Sequence, residues 1–276
     1  MTQETGMITM DSDKNELDTI LDDGAQDSFE PQPIKVEIVH ATAELKIEGL
    51  PSMQRFKGVI LSSMKARVFF PKFGNQEVNK DIATFTEKRP LCSSENGVVG
   101  KLYETDWDNI SNPSKDAILM IKEKISQGGL MCKKCPLSAF GSAGLFGVKS
   151  KGQACNDLRR LLLWRPSLTI PMILTLPPTS IRKFDGYCSS LSAGGKQFNR
   201  VVTEISLAKV DYSGGGYSTI NLSFDSDMTK EMMNELIQPV IHDGVTKPIA
   251  KALIDIFSRR EVEVSDYIGD GTEDSF

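Results

Sequence analysis

The sequence has few of the residues on which common catalytic sites depend. It contains two histidines, His40 and His242, among 276 residues, which leaves little room for Ser/His/Asp chemistry or a histidine-rich metal site. It also lacks a phosphate-binding P-loop, a zinc-protease helix motif and a dinucleotide-binding glycine motif between a strand and a helix. We therefore expect a protein that is not an enzyme.

Long apolar runs are also missing. No stretch approaches the roughly 18 apolar residues of a membrane span, and the acidic N-terminal region has no apolar segment typical of a secretory signal. We expect no membrane contact and a cytoplasmic location. The five cysteines are then in a reducing compartment, where a metal site is a better use for them than disulfides.

Charge divides the chain into three parts. Residues 1–33 carry nine acidic side chains against Lys14, a net charge of −8, and residues 261–276 carry six acidic side chains and no Lys or Arg. Residues 34–260 contain 22 acidic and 31 basic side chains, a net charge of +9. A basic body favours a polyanionic partner. We expect an acidic disordered N-terminal segment, a nucleic-acid-binding body and an acidic C-terminal tail.

The coarse order of elements is strands, a cysteine-rich insert, further strands and then helices. Strands are predicted over 35–40 and 58–70, and the glycine-rich residues 213–216 predict a hairpin between strands at 201–212 and 217–224. Helices are predicted over 114–127, 154–164, 180–192, 228–242 and 247–259, and residues 166–178 are expected to be extended, in the manner of an edge strand. This order predicts an α+β or mainly β body with C-terminal helices.

Four cysteines have spacings that suit one metal ion. Cys132 and Cys135 form a C-x-x-C pair, Cys92 precedes them with 39 residues between it and Cys132, and Cys155 follows them, all within an insert at about 90–156. Four thiolates complete the tetrahedral site that structural zinc prefers. An iron–sulfur cluster would use the same ligands, and a redox pair or free thiols would also account for these cysteines. Lys133 and Lys134 would offset the site's negative charge, and Cys188 is expected to be a small buried side chain.

Basic and aromatic side chains lie close together in several places. Single-stranded nucleic acid is bound by cations along the phosphates and by rings that stack on bases. The candidate phosphate contacts are Lys133, Lys134, Arg159, Arg160, Arg182 and Lys183. The candidate stacking residues are Trp107, Tyr212 and Tyr217. A solvated basic face and aromatic residues in the core would produce the same pattern without any binding.

The segment 261–276 is acidic and ends in an aromatic residue. It has too little apolar surface to join a core, so we expect a detachable polyanion that competes with nucleic acid for a basic groove. The residues expected to bind partners are Asp266, Asp270, Glu273, Asp274 and Phe276.

These features together resemble the replication single-stranded DNA-binding proteins of phages and mobile elements. The segments that resemble an uncharacterised phage family are FKGVIL (56–61), PLCSSENG (90–97), CKKCP (132–136), GQAC (152–155), LPPTS (176–180) and VVTEISL (201–207). The resemblance implies an OB-like barrel with an inserted zinc ribbon, one structural zinc ion, and a tail that regulates DNA binding. It also implies that the tail recruits replication proteins such as a polymerase or helicase.

The predicted function is single-stranded DNA binding in phage replication or recombination. The alternative is a zinc-ribbon transcription regulator that binds RNA polymerase through its acidic ends.

Overall fold

The structure is a computed structural model in which part of the chain is described. The described residues are 33–40, 42–69, 92–102, 130–143, 152–166, 171–212, 215–242 and 244–259, with the single positions 119 and 123. Both single positions are helical and fall inside the helix predicted over 114–127, most of which lies outside the described residues.

The described residues form twelve strands and three longer helices. The strands are β1 Ile34–Val39, β2 Glu44–Ile47, β3 Arg55–Phe69, β4 Cys92–Ser94, β5 Val99–Leu102, β6 Leu130–Met131, β7 Asn156–Trp164, β8 Met172–Leu176, β9 Val201–Tyr212, β10 Gly215–Asp227, β11 Pro239–His242 and β12 Val245–Pro248. The helices are α1 Pro178–Ala193, α2 Lys230–Ile237 and α3 Ile249–Arg259. Short 3-10 turns lie at Cys132–Lys134, Pro136–Ser138 and Phe198–Arg200. No helix in these ranges is long and apolar enough to span a bilayer.

Ten of the strands form one open sheet. Its main order is β2-β1-β8-β7-β3-β4-β5-β6, β9 also pairs with β3, and β10 pairs with β9. The β1–β8 pair is parallel and the other pairs of this sheet are antiparallel. No barrel closes among the described strands. The fold is thus a mixed α/β structure dominated by an open sheet, and the OB-like barrel expected from the sequence does not close among these strands.

The long strand β3 connects the body of the sheet to the cysteine-rich insert. Its first residues, 55–59, pair with β9, and residues 59–68 pair with β7 with an irregularity after Ile60. Its last residues, 67–69, pair with β4, which begins at Cys92. One continuous strand therefore positions the insert relative to the rest of the sheet.

One face of the sheet packs against α1. Phe184, Tyr187 and Leu191 of the helix recur at the spacing of one helix face and belong to one apolar cluster with side chains of seven strands. The cluster contains Val36, Ile38, Leu45, Ile47, Phe56, Ile60, Leu161, Leu163, Met172, Leu174, Leu176, Val201, Ile205 and Ile220 in addition to those three.

The other face of the sheet packs against α2 and α3. Leu162 and Trp164 of β7 point to this side, whereas Leu161 and Leu163 point to α1. The second cluster is formed by Val59, Leu61, Leu162, Trp164, Ile173, Val202, Met228, Leu236, Leu253 and Phe257. The sheet is thus covered on both faces, and its central strands are buried.

Burial on both faces explains why the helix predicted over 154–164 is wrong. Residues 156–164 form β7, whose apolar run serves both clusters alternately. A strand covered on two sides has no polar face, so its sequence resembles that of a buried helix.

The extended segment predicted over 166–178 contains β8, but β8 is not an edge strand. It lies between β1 and β7. Pro171 and Pro177 flank the strand and do not interrupt its hydrogen bonds.

The C-terminal helices differ in part from those predicted. The helix predicted over 228–242 ends at Ile237, because residues 239–242 pair with β12 as a hairpin. The helix predicted over 247–259 is confirmed as α3. The strands predicted at 35–40 and 58–70, the 201–224 hairpin and the helix over 180–192 are also confirmed, with small shifts of their ends.

Candidate metal centre and basic surfaces

The four cysteines of the insert meet at the end of β3. Cys92 begins β4, Cys132 begins the first 3-10 turn, Cys135 lies between this turn and the next, and Cys155 directly precedes β7. All four are buried and line one small cavity, together with Arg67 and other residues of the insert. The sequence prediction that these four residues come together therefore agrees with their placement.

The C-x-x-C segment is folded by its own backbone. The N–H of Cys135 donates to the carbonyl of Cys132 at 3.2 Å, and Pro136 begins the next turn. The N–H of Ser138 donates to the Cys135 carbonyl at 3.0 Å, and the backbone groups of Leu137 and Ser138 lower the pKa of Cys135 against the effect of burial. Amide donors of this kind favour the thiolate over the thiol, which is the form that binds a metal.

Three residues near Cys155 close the surrounding loop. The hydroxyl of the buried Ser142 donates to the carbonyl of Leu137 and accepts from the N–H of Ala154, both at 2.8 Å. The N–H of Cys155 donates to the same Leu137 carbonyl at 3.0 Å. Cys155 is thus held against the segment that carries Cys132 and Cys135.

The thiols favour their neutral forms when no ion neutralises them. Burial, followed by repulsion from the Cys132 and Cys135 thiolates, raises the pKa of Cys92 to about 12. Burial is also the main cause that raises the pKa values of Cys135 and Cys155. Ionisation of this cluster therefore needs a compensating positive charge.

The nearest fixed positive charge comes from Arg67, which sequence reasoning missed. Its Nε pairs with Asp157 Oδ1 at 2.7 Å, and its Nη1 donates to the Cys132 carbonyl at 3.4 Å. Its charge lowers the pKa values of Cys135 and Cys155 against the effect of burial. Arg67 lies inside an apolar strand, and no spacing rule links such a position to a cysteine 65 residues away.

The donor chemistry of the four insert cysteines fits a thiolate-bound metal. Across the described residues, no three His, Cys, Asp or Glu side chains stand in positions that could hold an ion. The four insert cysteines are free thiols with no disulfide. Four sulfurs around one cavity are the ligand set that zinc prefers. The fifth cysteine, Cys188, packs at the edge of the α1 cluster, apart from this site.

The structure uses Arg159 to hold α1 on the sheet. Its guanidinium lies 5.7 Å from the ring centroid of Phe184 and pairs with Asp185 at 3.3 Å. It also contacts the hydroxyl of Ser63 at 3.5 Å. With these contacts the side chain is no longer a good candidate for binding phosphate.

The neighbouring Arg160 is fully buried, with 0% of its surface exposed. It points to the opposite face of β7, where its guanidinium lies 5.2 Å from the ring centroid of Phe257 in α3. The phosphate contact predicted for Arg160 is therefore corrected, because α3 covers it. From the sequence we expected Arg159 and Arg160 to be exposed to solvent, and no local pattern indicated that α3 packs over Arg160.

The other predicted cations lie on two exposed surfaces. Lys133 and Lys134 are exposed on the C-x-x-C turn, so neither faces the sulfurs whose charge they were expected to offset. Arg182 and Lys183 are exposed on α1, where Lys183 Nζ donates to Asn221 Oδ1 at 2.9 Å.

Of the three predicted stacking residues, two lie within the described part of the chain. Tyr212 and Tyr217 lie at the tip of the β9–β10 hairpin, where Tyr212 pairs with Gly215 and Tyr217 with Val210. Trp107 lies outside the described residues. The same is true of the tail residues Asp266, Asp270, Glu273, Asp274 and Phe276.

An exposed aromatic residue that the sequence did not single out lies on the insert. Phe140 exposes 84% of its surface, next to Gly141, whose φ of +88° turns the chain back towards Gly152. Val99 and Met131 form an exposed cross-strand pair on the same insert. Phe140 lies in a glycine-rich segment without apolar periodicity, so no local sequence pattern indicates that its ring is exposed.

Comparison with family models, curated proteins and solved structures finds no match to this chain.

Proposed function

We propose that this protein binds single-stranded DNA without catalysis and acts in replication or recombination. The observation that carries the proposal is the surface of the cysteine module, which we define as residues 92–102, 130–143 and 152–155. There the exposed ring of Phe140 occurs in the same short segment as the exposed Lys133 and Lys134.

This combination of lysines and an exposed ring suits a flexible single strand of DNA. Lysine side chains attract the phosphates, and an exposed ring can stack on any base, at about 1–3 kcal/mol per base. An exposed Phe also costs solubility, so a position on a turn held by hydrogen bonds favours a binding role.

The strand pairing supports an OB-like core within the open sheet. β3 pairs with both β7 and β9, β7 pairs with β8, and β9 pairs with β10. An OB-fold is a partly open barrel of five strands, whose loops after the first and fourth strands help to bind oligonucleotides. In this correspondence the cysteine module lies in the first loop and the tip of the β9–β10 hairpin forms the other.

The contact residues proposed from the sequence change accordingly. We keep Lys133, Lys134, Arg182 and Lys183 for phosphates, and Trp107, Tyr212 and Tyr217 for stacking. We add Phe140 and remove Arg159 and Arg160, since the first is paired and the second is buried under α3.

One zinc ion held by Cys92, Cys132, Cys135 and Cys155 completes the proposal. Bound zinc would supply a structural cross-link that holds the two turns and the ends of β4 and β7 together. The acidic tail would compete with DNA and recruit replication proteins, in the cytoplasm of the cell or host.

Fluorescence anisotropy with labelled oligo-dT and a duplex of equal length tests this function. We expect salt-sensitive binding to the single strand and weak binding to the duplex. Phe140→Ala should cost roughly 1–3 kcal/mol of binding free energy with little change in salt dependence. Lys133→Glu should weaken binding and also lower the salt slope.

Exposed Val245→Ala, on the hairpin before α3, serves as the matched control. Failure of the wild-type chain to bind oligo-dT at low salt would overturn the proposal. The exposed Val99–Met131 pair would then favour the second candidate, a regulator that binds RNA polymerase.

A further inference from the structure

A groove runs between α1 and the outer edge of β10. One wall consists of Lys183, Tyr187, Ser190 and Leu191, which share one face of the helix, and the other consists of residues 221–224 of β10. The groove encloses about 1010 Å³, including the solvent at its mouth. Tyr187 and Leu191 make its inner part apolar, whereas Lys183 and Ser190 make its rim polar.

The β10 wall is a strand edge whose backbone groups are only partly paired. On the side away from β9, the N–H of Ser218 donates to His40 and that of Ile220 donates to the Ser180 hydroxyl. Backbone direction alternates along a strand, so the N–H groups of Leu222 and Phe224 point to the same side, into the groove. Neither of these N–H groups donates to an acceptor on that side within the described part of the chain.

An edge of this kind next to a helix accepts an extended peptide as an added strand. The backbone of the peptide would bond to the edge, and alternate side chains would enter the groove. Phe224 exposes 43% of its surface here, beneath the Lys196 ammonium at 4.8 Å. The groove therefore offers apolar contacts for a peptide side chain.

The charges at the rim favour an acidic peptide. Arg182 and Lys183 are exposed on α1, and neither forms an ion pair with a carboxylate among the described residues. The nearby acidic residue Asp227 is already paired with Lys196 at 2.6 Å. An incoming carboxylate would thus meet two cations whose charge no described carboxylate offsets.

The chain itself contains a segment with the required chemistry. Residues 261–268 read Glu-Val-Glu-Val-Ser-Asp-Tyr-Ile and contain three acidic residues and no base. Three of the four even positions are apolar, Val262, Val264 and Ile268, and Asp266 is the fourth. This is close to the period of a strand with one mainly apolar side, and β-branched residues favour strands. We infer that residues 261–268 of this chain bind in the groove as a strand added to the outer edge of β10.

Hydrogen–deuterium exchange on the full-length chain tests this inference without DNA. Val262→Pro with Val264→Pro removes two backbone donors, at positions that follow α3 in the sequence. In the wild type, we expect the amides of 261–268 and of Leu222 and Phe224 to exchange about tenfold more slowly than in this variant. Glu263→Pro with Ser265→Pro is the matched control, because the N–H groups of these alternate residues would face away from β10. This pair should change the exchange rates less.

A second pair of variants tests the charge at the rim. Lys183→Glu should speed exchange in 261–268, whereas Lys230→Glu, an exposed lysine on α2, should not. Rapid exchange throughout 261–268 in the wild type would overturn the inference. Slow exchange at the β10 edge that survives the prolines would also overturn it, because another segment, a second copy or a partner would then occupy the groove.

Discussion

The imidazole of His40 accepts a hydrogen bond from the backbone N–H of Ser218, with 3.1 Å between Nδ1 and N. The hydroxyl of Ser218 returns a hydrogen bond to the His40 carbonyl, also at 3.1 Å. These two bonds connect the end of β1 to the outer edge of β10, two strands that do not pair with each other. They join these two strands of the open sheet through side-chain hydrogen bonds.

This contact predicts that stability depends on the protonation of His40. Nδ1 accepts a hydrogen bond only without its proton, and burial lowers the pKa of His40 below its ordinary 6.5. The unfolded chain therefore binds the proton more readily than the folded chain. The contribution of His40 to the free energy of unfolding should be complete above pH 6.5 and lost as the pH falls through its folded-state pKa.

Urea unfolding between pH 5 and pH 8, followed through tryptophan fluorescence, measures this effect, since Trp164 is buried. His40→Asn should flatten the pH dependence in this range. His242→Asn should retain the pH dependence of the wild type. An unchanged slope in the His40 variant would assign the dependence to another group.

Removal of one cysteine of the cluster should abolish metal binding. We expect about one zinc ion per chain in reduced protein, and Cys135→Ser should lose it, together with thermal stability, because four thiolates share one ion. Elemental analysis and thermal unfolding measure the two effects. Cys188→Ser is the matched control and should retain the metal, and wild-type protein without stoichiometric metal would contradict the zinc proposal.

The ion pairs of α3 predict a second pH effect, in acid. Lys251 at 2.9 Å and Lys247 at 3.0 Å lower the pKa of Asp255 to about 2. The folded chain thus holds the proton less readily than the unfolded chain, whose value is near 3.8. The contribution of Asp255 should be present above pH 3.8 and disappear as the pH falls towards 2.

An acid titration of the Trp164 environment compares the wild type with Asp255→Asn. The variant should begin from lower stability at pH 6 and lose less of it on acidification. Glu48→Gln, at an exposed position on a turn, should behave as the wild type does. Parallel titration curves for wild type and Asp255→Asn would show that these ion pairs do not stabilise α3.

The packing of α3 over Arg160 should depend on the ring of Phe257. This ring is fully buried and belongs to the cluster between the sheet and α3. Phe257→Ala should cost about 3–5 kcal/mol of unfolding free energy, as typical for a large-to-small change in a core. Phe257→Leu should cost less, because it retains most of the volume.

Chemical denaturation of both variants measures these costs. A loss below about 1 kcal/mol for Phe257→Ala, the range of surface substitutions, would mean that α3 is not firmly packed on the sheet. The buried position of Arg160 would then have to be reconsidered.

Several features follow from the sequence because their signals are local. The glycines at 213–216 predicted the β9–β10 hairpin, and the stop at Gly194 predicted the end of α1. The shared cavity of four cysteines followed from thiol chemistry and spacing. In each case the determining residues lie close together in the chain or belong to a rare type.

Tertiary structure decided the features whose causes are distant in sequence. β7 is a strand because β3 and β8 pair with it and both of its faces are covered, although its apolar run equally suits a helix. Arg160 is buried because a helix almost one hundred residues later packs over it, and Arg67 faces the cysteines because β3 ends beside β4. Composition and charge determined which kinds of partner and metal we propose for this chain. The packing of strands and helices decided which of those side chains reach solvent, since burial depends on neighbours that no local pattern encodes.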